Sequence, residues 1–234
     1  MKLSTIAKTS LALGILTTGV MTTNAQSVDA KVQTSVQNKN ISDDIKDLYN
    51  YYKKSFFEYK NVNGTRRGNI VEIPYGVQLT NVSLLGNDKN TIKEGFSSGI
   101  DVFVVREDNG KAADNNSIGG ITETNKGRYH DWLVDPRITL TKNNGGAISH
   151  SPFGRLPLTK EKVSLKELDF KLRKKLMDAN LLYTNNKKNG TIVVKMKGQD
   201  ENDKYTFELD KKLQDHRMGD VVDSKNIKEI TVEL

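Results

Sequence analysis

The stretch KVSLKELDFKLRKKLMDANLLY, Lys162 to Tyr183, constrains the fold more than any other part of the chain. Ser164 and Glu167 stand at capping-box spacing, where a hydroxyl at the helix start meets the amide three residues on. Leu165, Leu168, Leu172 and Leu176 then recur at the helical period, with Phe170 and Met177 on the flanks. A helix of this kind buries one stripe and needs a surface to lie on. The segments TIVVKMK, KYTFEL and IKEITVEL supply one, being short, β-branched and separated by polar turns. The order strand, helix, strand, strand, turn, strand predicts an α+β unit in which one long helix crosses a sheet.

The first half reads differently. Ser42 followed by Asp43 and Asp44 is a helix start, and Ile45, Leu48, Tyr49 and Tyr52 predict a short helix over 43–54. From there to about 142 the pattern is of strands. FFEYKNV runs to the turn signal Asn63-Gly64, and NIVEI stops at Pro74. VQLTNVSLLG changes phase between Leu79 and Val82, which predicts a bulge. IDVFVVRE is a buried type of strand, and SIGGIT and RITLT complete a set that suits a small barrel or sandwich. The turn-rich segment NNGGAISHSPFGRLP, 143–157, predicts the boundary to the second half.

The N-terminus carries Lys2 and Lys8, an apolar run from Leu11 to Val20 and the small residues of AQSVDA. This is the layout of a secretory leader, with cleavage expected after Ala30 or, as the rival, after Ala25. The run is too short to span a bilayer as a mature helix, so no membrane insertion is expected. Cysteine is absent, which fits a secreted bacterial protein whose core suffices without disulfides. The formal charge is +7, and losing Lys2, Lys8 and Asp29 with the leader leaves +6. A basic excess favours anionic partners without choosing among them.

Motifs for chemistry are missing. No His-Glu-x-x-His, Gly-x-Ser-x-Gly or phosphate-cradling loop occurs, and His130, His150 and His216 lie in separate contexts. The chain is therefore expected to be no enzyme, to bind no metal and to need no cofactor. Lys166, Lys171, Arg173, Lys174 and Lys175 read as the solvated face of the long helix. Aromatic residues do not interleave with them, so nucleic acid is not expected as a partner.

Two stretches together resemble the staphylococcal and streptococcal superantigen fold: SIGGIT, Ser117 to Thr122, and the long helix with Leu168-Asp169, Arg173, Leu176 and Leu182-Tyr183. With DVFVVRE and RMGDVVDSKNIKEITVEL, the layout most resembles the staphylococcal superantigen-like proteins. The N-terminal pattern gives a leader over 1–30, and the polar, unpatterned residues 31–40 are expected to form a flexible segment. The resemblance implies an N-terminal OB-type β-barrel over 41–145 and a C-terminal β-grasp domain over 146–234. It also implies secretion and immune evasion without true superantigen activity.

A subset of this family binds sialylated glycans of the sialyl Lewis X type on leukocyte glycoproteins. Its pattern is met here by Thr206, Glu208, Lys211, Gln214, Arg217 and Asp220, within YTFELDKKLQDHRMGD. On a strand Tyr205, Phe207 and Leu209 would face the core while Thr206 and Glu208 face out. Lys211, Gln214 and Arg217, three apart, would nearly eclipse on a 3₁₀ turn. On an α-helix Met218 would fall among them, so the turn is expected to stop there, with Gly219 as its terminator. Arg217 offers donors to a sialic acid carboxylate and Thr206 a hydroxyl. Glu208, Gln214 and Asp220 suit sugar hydroxyls, and Lys211 adds charge. As an ordinary strand-to-helix corner, Arg217 would pair with Asp215 or Asp220. The alternative partner is a host immune protein, an immunoglobulin, complement component or innate receptor, and a homodimer is a further expectation.

Overall fold

The computed structural model describes residues 42–108, 113–129, 131–185, 187–198, 200 and 203–234. The expected leader, the segment 31–40 and His130 lie outside them. The α+β architecture is present as an OB-type curled sheet followed by a β-grasp unit. The first sheet holds β1 (Phe56–Arg67), β2 (Ile70–Tyr75), β3 (Gln78–Ser83), β4 (Gly95–Val105), β5 (Asn115–Ile118) and β6 (Ile121–Glu123) in the order β5-β3-β2-β1-β4-β6. Strand β4 explains why its sequence is apolar on both faces. Val102 and Val104 enter the barrel core with Val71, Ile73 and Val82, whereas Phe103 and Val105 enter the core of the second unit. One strand thus walls both cores.

Two turn readings change. Asn63-Gly64 is not a turn, because β1 runs on to Arg67 and the chain reverses at Gly68, where φ is 62°. Gly64 is needed for space: a Cβ there would lie 3.0 Å from Val71 Cγ1 and 3.1 Å from Ile100 Cδ1. The bulge expected in β3 is absent, since β3 pairs with β2 in unbroken register from Ile70↔Ser83 to Tyr75↔Gln78. The irregularities sit in β1 against β4, between Tyr59 and Gly64, beside Asn61 with φ of 51°.

The second sheet holds β7 (Arg137–Asn144), β8 (Ala147–Arg155), β10 (Thr191–Met196), β11 (Lys204–Glu208) and β13 (Ile227–Glu233) in the order β11-β10-β13-β7-β8. RITLT, expected among the barrel strands, is β7 and pairs in parallel with the last strand, Leu140↔Val232. The segment 143–157 contributes the β7–β8 hairpin of this sheet. A two-stranded ribbon joins β9 (Lys162–Ser164) to β12 (Val221–Asp223).

Helix α1 (Asp43–Tyr52) buries Ile45, Leu48 and Tyr52 in the same core as the second sheet. A short helix α2 (Asp88–Thr91) follows β3, and α3 (Leu165–Asp178) is the long helix. Leu165, Leu168, Leu172 and Leu176 are all buried, each burial stabilising by about 1.5–3 kcal/mol. Ser164 Oγ accepts from Glu167 N at 3.1 Å, while the Glu167 carboxylate turns to Lys160 at 2.6 Å and Lys171 at 2.7 Å.

The solvated basic face does not survive. Lys166 is 2% exposed and Arg173 0%. Lys166 Nζ donates to Ser117 Oγ at 2.8 Å and Ile118 O at 2.7 Å, in the barrel. Lys171 is shared between Glu58 and Glu167. Lys174 and Lys175 remain half-exposed. The helical period locates the apolar stripe but does not reveal that barrel strands cover the flank beside it. Among the described residues no helix is long and apolar enough to cross a membrane.

Candidate functional site

Strand β11 forms one edge of the second sheet, paired only on its β10 side through Val193↔Thr206 and Thr191↔Glu208. Alternation sets its faces. Phe207 and Leu209 are buried in the core and half-buried Tyr205 packs against it, while Thr206 is half-buried and Glu208 exposed. The chain then folds back. Leu213 and Met218, both buried, pin the two ends of a 3₁₀ turn over Asp215–Arg217. Met218 turns into the core and so does not interrupt the polar row.

Gly219 does not end the turn by a left-handed conformation, as it is not among the glycines of positive φ. Its reason is close approach: a Cβ there would meet Asp88 Oδ2 at 2.1 Å.

The turn lays Arg217 across β11. Its Nη1 and Nη2 each donate to Thr206 O at 3.2 Å, and Nη1 also donates to Gln214 Oε1 at 3.0 Å. The guanidinium lies 5.8 Å from the Phe207 ring centroid. All these partners are neutral. Asp215 pairs with Lys212 at 3.4 Å, and Asp220 accepts from Asn87 at 3.0 Å, so neither takes the role of counter-ion expected of an ordinary corner. Among the described residues no carboxylate forms an ion pair with Arg217.

Glu208 and Lys211 instead pair with each other at 2.7 Å. The Lys211 hydrogen bond holds the Glu208 carboxyl below its usual range, and Glu208 raises the Lys211 ammonium. The positive charge expected of Lys211 is therefore largely matched within the site. A narrow gap, too tight to admit a water molecule, lies between Arg217 and Arg173 and is lined also by Glu208, Lys211 and Gln214. Thr206, Gln214 and Arg217 form one cluster, and Glu208 with Lys211 a second beside it. Asp220 stands at the far end, its backbone carbonyl accepting from Leu165 N at 2.8 Å at the start of α3.

Residues outside the expected set hold this arrangement. Arg173 Nη2 donates to Glu208 O at 2.8 Å and Nη1 to Leu209 O at 3.0 Å, supporting the end of β11 from beneath. Its Nε donates to Asp169 at 2.6 Å, and Tyr52 OH donates to the other Asp169 oxygen at 2.6 Å while accepting from Leu213 N at 3.1 Å. The i, i+4 spacing of Asp169 and Arg173 was the available signal. The barrel supports the turn from the other side: Gly120 N donates to Met218 O at 3.1 Å. A Cβ on Gly119 would lie 2.5 Å from Met218 C, so the Gly-Gly pair is where the barrel touches the turn. His216 is exposed, and His150 Nδ1 lies 3.0 Å from Thr141 Oγ1 on the distant hairpin.

Comparison with known proteins agrees with this fold. Residues 46–125 match the family described as the Staphylococcal superantigen-like OB-fold domain, and residues 136–234 the Staphylococcal/Streptococcal toxin, beta-grasp domain. Superantigen-like protein 11 of Staphylococcus aureus (strain Newman) is 46% identical over 234 residues, covering 100% of both chains. Staphylococcal superantigen-like 1 of the same strain is 39% identical over 238 residues, again covering 100% of both. Among solved structures, the staphylococcal superantigen-like protein SSL5 complexed with sialyl Lewis X is 36% identical with a TM-score of 0.73, covering 81% of this chain and 99% of that one. A superantigen-like protein from Staphylococcus aureus in complex with 3-N-acetylneuraminyl-N-acetyllactosamine is 39% identical with a TM-score of 0.72, covering 81% and 97%.

Proposed function

The chain belongs to the staphylococcal superantigen-like family, and on that premise we propose that it is a secreted, non-enzymatic protein that binds sialylated glycans of the sialyl Lewis X type through the β11 edge of its β-grasp domain. The observation that carries this reading is Arg217, a guanidinium held by two neutral acceptors and in an ion pair with no carboxylate among the described residues. A cation fixed in this way is preorganised for an anionic group. The sialic acid carboxylate supplies one, and sugar hydroxyls complement Thr206 and Gln214, which can donate or accept, and the Glu208 and Asp220 carboxylates, which accept. Relatives of the same fold bound to sialyl Lewis X and to a sialylated lactosamine support the ligand class.

Glu208, Lys211 and Gln214 lie exposed on the surface, and a single glycan contact there gives modest affinity. Clustered glycans on leukocyte glycoproteins, met by a surface-bound or paired protein, would raise the avidity. The consequence would be interference with leukocyte adhesion or signalling.

A second reading, a host protein as the main partner, is favoured by one observation. A cleft of about 510 Å³ is lined by the apolar Phe56, Phe153 and Leu156 together with the cations Arg155, Lys174 and Lys175. Sialidase treatment of leukocytes separates the two readings. Binding lost with the sialic acid supports the glycan site; binding that persists assigns the interaction to a protein surface.

A further inference from the structure

We propose that Asn87, in the barrel domain, is a positioning residue for this site, fixing the Asp220 carboxylate at its far end. The proposal rests on the glycan reading above. Asn87 Nδ2 donates to Asp220 Oδ1 at 3.0 Å across the seam between the two sheets. Among the described residues Oδ2 of Asp220 has no hydrogen-bond partner, which leaves it for a ligand hydroxyl. The bond thus orients the carboxylate without consuming it.

The loop that presents Asn87 is itself anchored. Asp88 Oδ1 accepts from Gly86 N at 2.9 Å, Asn90 N donates to Asn87 O at 2.9 Å, and Arg66 Nη1, reaching from β1, donates to Lys89 O at 2.6 Å. The fit against the 3₁₀ turn leaves no slack. A Cβ on Gly86 would lie 1.7 Å from His216 O, and one on Gly219 would lie 2.1 Å from Asp88 Oδ2. Asn87 and Asp220 therefore cannot drift apart without opening the seam.

Asp88 adds a neighbouring like charge. It is 3% exposed, and its Oδ2 has no hydrogen-bond partner. It lies close enough to Asp220 for the two carboxylates to act on each other as like charges. Without the bond the half-exposed Asp220 side chain would sample several rotamers. The Asn87 amide is the donor that opposes this. Without it, a glycan must order Asp220 as it binds, and ordering a side chain at an interface weakens association.

A double-mutant cycle tests the proposal, with 3-N-acetylneuraminyl-N-acetyllactosamine and sialyl Lewis X titrated into the full chain. Asn87→Ala weakens binding by about 3-fold, the scale expected for one disordered side chain. Asp220→Ala weakens it at least as much, and the double variant binds like Asp220→Ala alone. A purely structural role would not produce this coupling. Asn87→Asp keeps the side-chain volume, removes the donor and adds a like charge; it weakens binding more than Asn87→Ala. Thermal unfolding of each variant confirms that the fold is kept, as expected for an exposed residue. Unchanged affinity in Asn87→Ala, or additive losses in the double variant, would overturn the proposal while native binding upholds the glycan reading. A native chain that binds neither sugar would overturn both.

Discussion

Two arginines face one narrow gap, and they are opposites. Arg173 is fully buried, each of its three nitrogens donates a hydrogen bond, and its charge is met by Asp169. Arg217 is half-exposed, rests on neutral acceptors and has no ion-pair partner among the described residues. A buried charge with its partner specifies structure, and breaking the pair leaves the partner stranded. A half-exposed charge held without a partner stabilises little and is ready for an anion from outside. The difference teaches that residue type alone does not assign a role here. The satisfaction of the group by its surroundings does.

The largest expected effect breaks the comparison from the buried side. Arg173→Leu leaves the Asp169 carboxylate buried without its cation and releases the end of β11. Stability should fall by about 3–5 kcal/mol. For a chain of this size the midpoint of thermal unfolding falls by roughly 10 °C. Arg217→Ala should do the reverse. Affinity for sialyl Lewis X falls by about 2–3 kcal/mol, tens to about a hundredfold, as a charge-assisted contact is lost. Stability shifts by less than about 1 kcal/mol. Calorimetric titration and thermal unfolding of both variants check the pair. Similar losses of stability in the two would erase the distinction.

A third cation sharpens it. Lys166 is as buried as Arg173 but has hydroxyl and carbonyl partners, with Glu107 only at 3.7 Å. Burial pushes its ammonium down to about 8, against an ordinary value of 10.5, although Glu107 opposes the shift. Between those values the unfolded chain binds more protons than the folded one, so stability rises with pH across that window, by about 1–3 kcal/mol. Below the window the charged amine is a net cost to the fold. Denaturant unfolding at about pH 7.5, 9 and 10.5 should show the native chain gaining stability relative to Lys166→Met, a difference in which the opposing contribution of the tyrosines Tyr51, Tyr52 and Tyr183 cancels. No gain of the native chain over Lys166→Met across that interval would contradict the burial account.

These contrasts also mark what the amino-acid pattern could and could not reveal. The leucine stripe of α3 and the alternation of Tyr205 to Leu209 were legible because periodicity reports a local geometry. The spacing of Gln214 and Arg217 was legible for the same reason, once a 3₁₀ turn was considered. Lys166 and Arg173 were misread because what covers them comes from elsewhere in the chain: Ser117 and Ile118 for one, Leu209 and Tyr183 for the other. RITLT was misplaced because its parallel partner is the last strand, a pairing no local signal announces. Asn63-Gly64 has the composition of a turn, yet Gly64 serves the packing of Val71 and Ile100. Gly219 likewise answers to Asp88 and not to its own φ.

The smallest expected effect concerns the exposed pair beside Arg217. Lys211→Ala removes a surface ion pair, which is worth little in water. Stability should be unchanged within error. Glycan affinity should fall by only about 2-fold, because Glu208 already matches most of the lysine charge. A loss as large as that of Arg217→Ala, measured in the same titration, would shift the anion-binding role to Lys211.

The central claim is that Arg217 serves a ligand and Arg173 serves the fold. Its most direct measurement is sialyl Lewis X binding to the native chain and to Arg217→Ala, with the melting curve of each sample recorded alongside. The account predicts that the variant loses nearly all binding and melts with the native chain. Full binding by the variant, or lost binding that comes only with a collapsed melting curve, would contradict it.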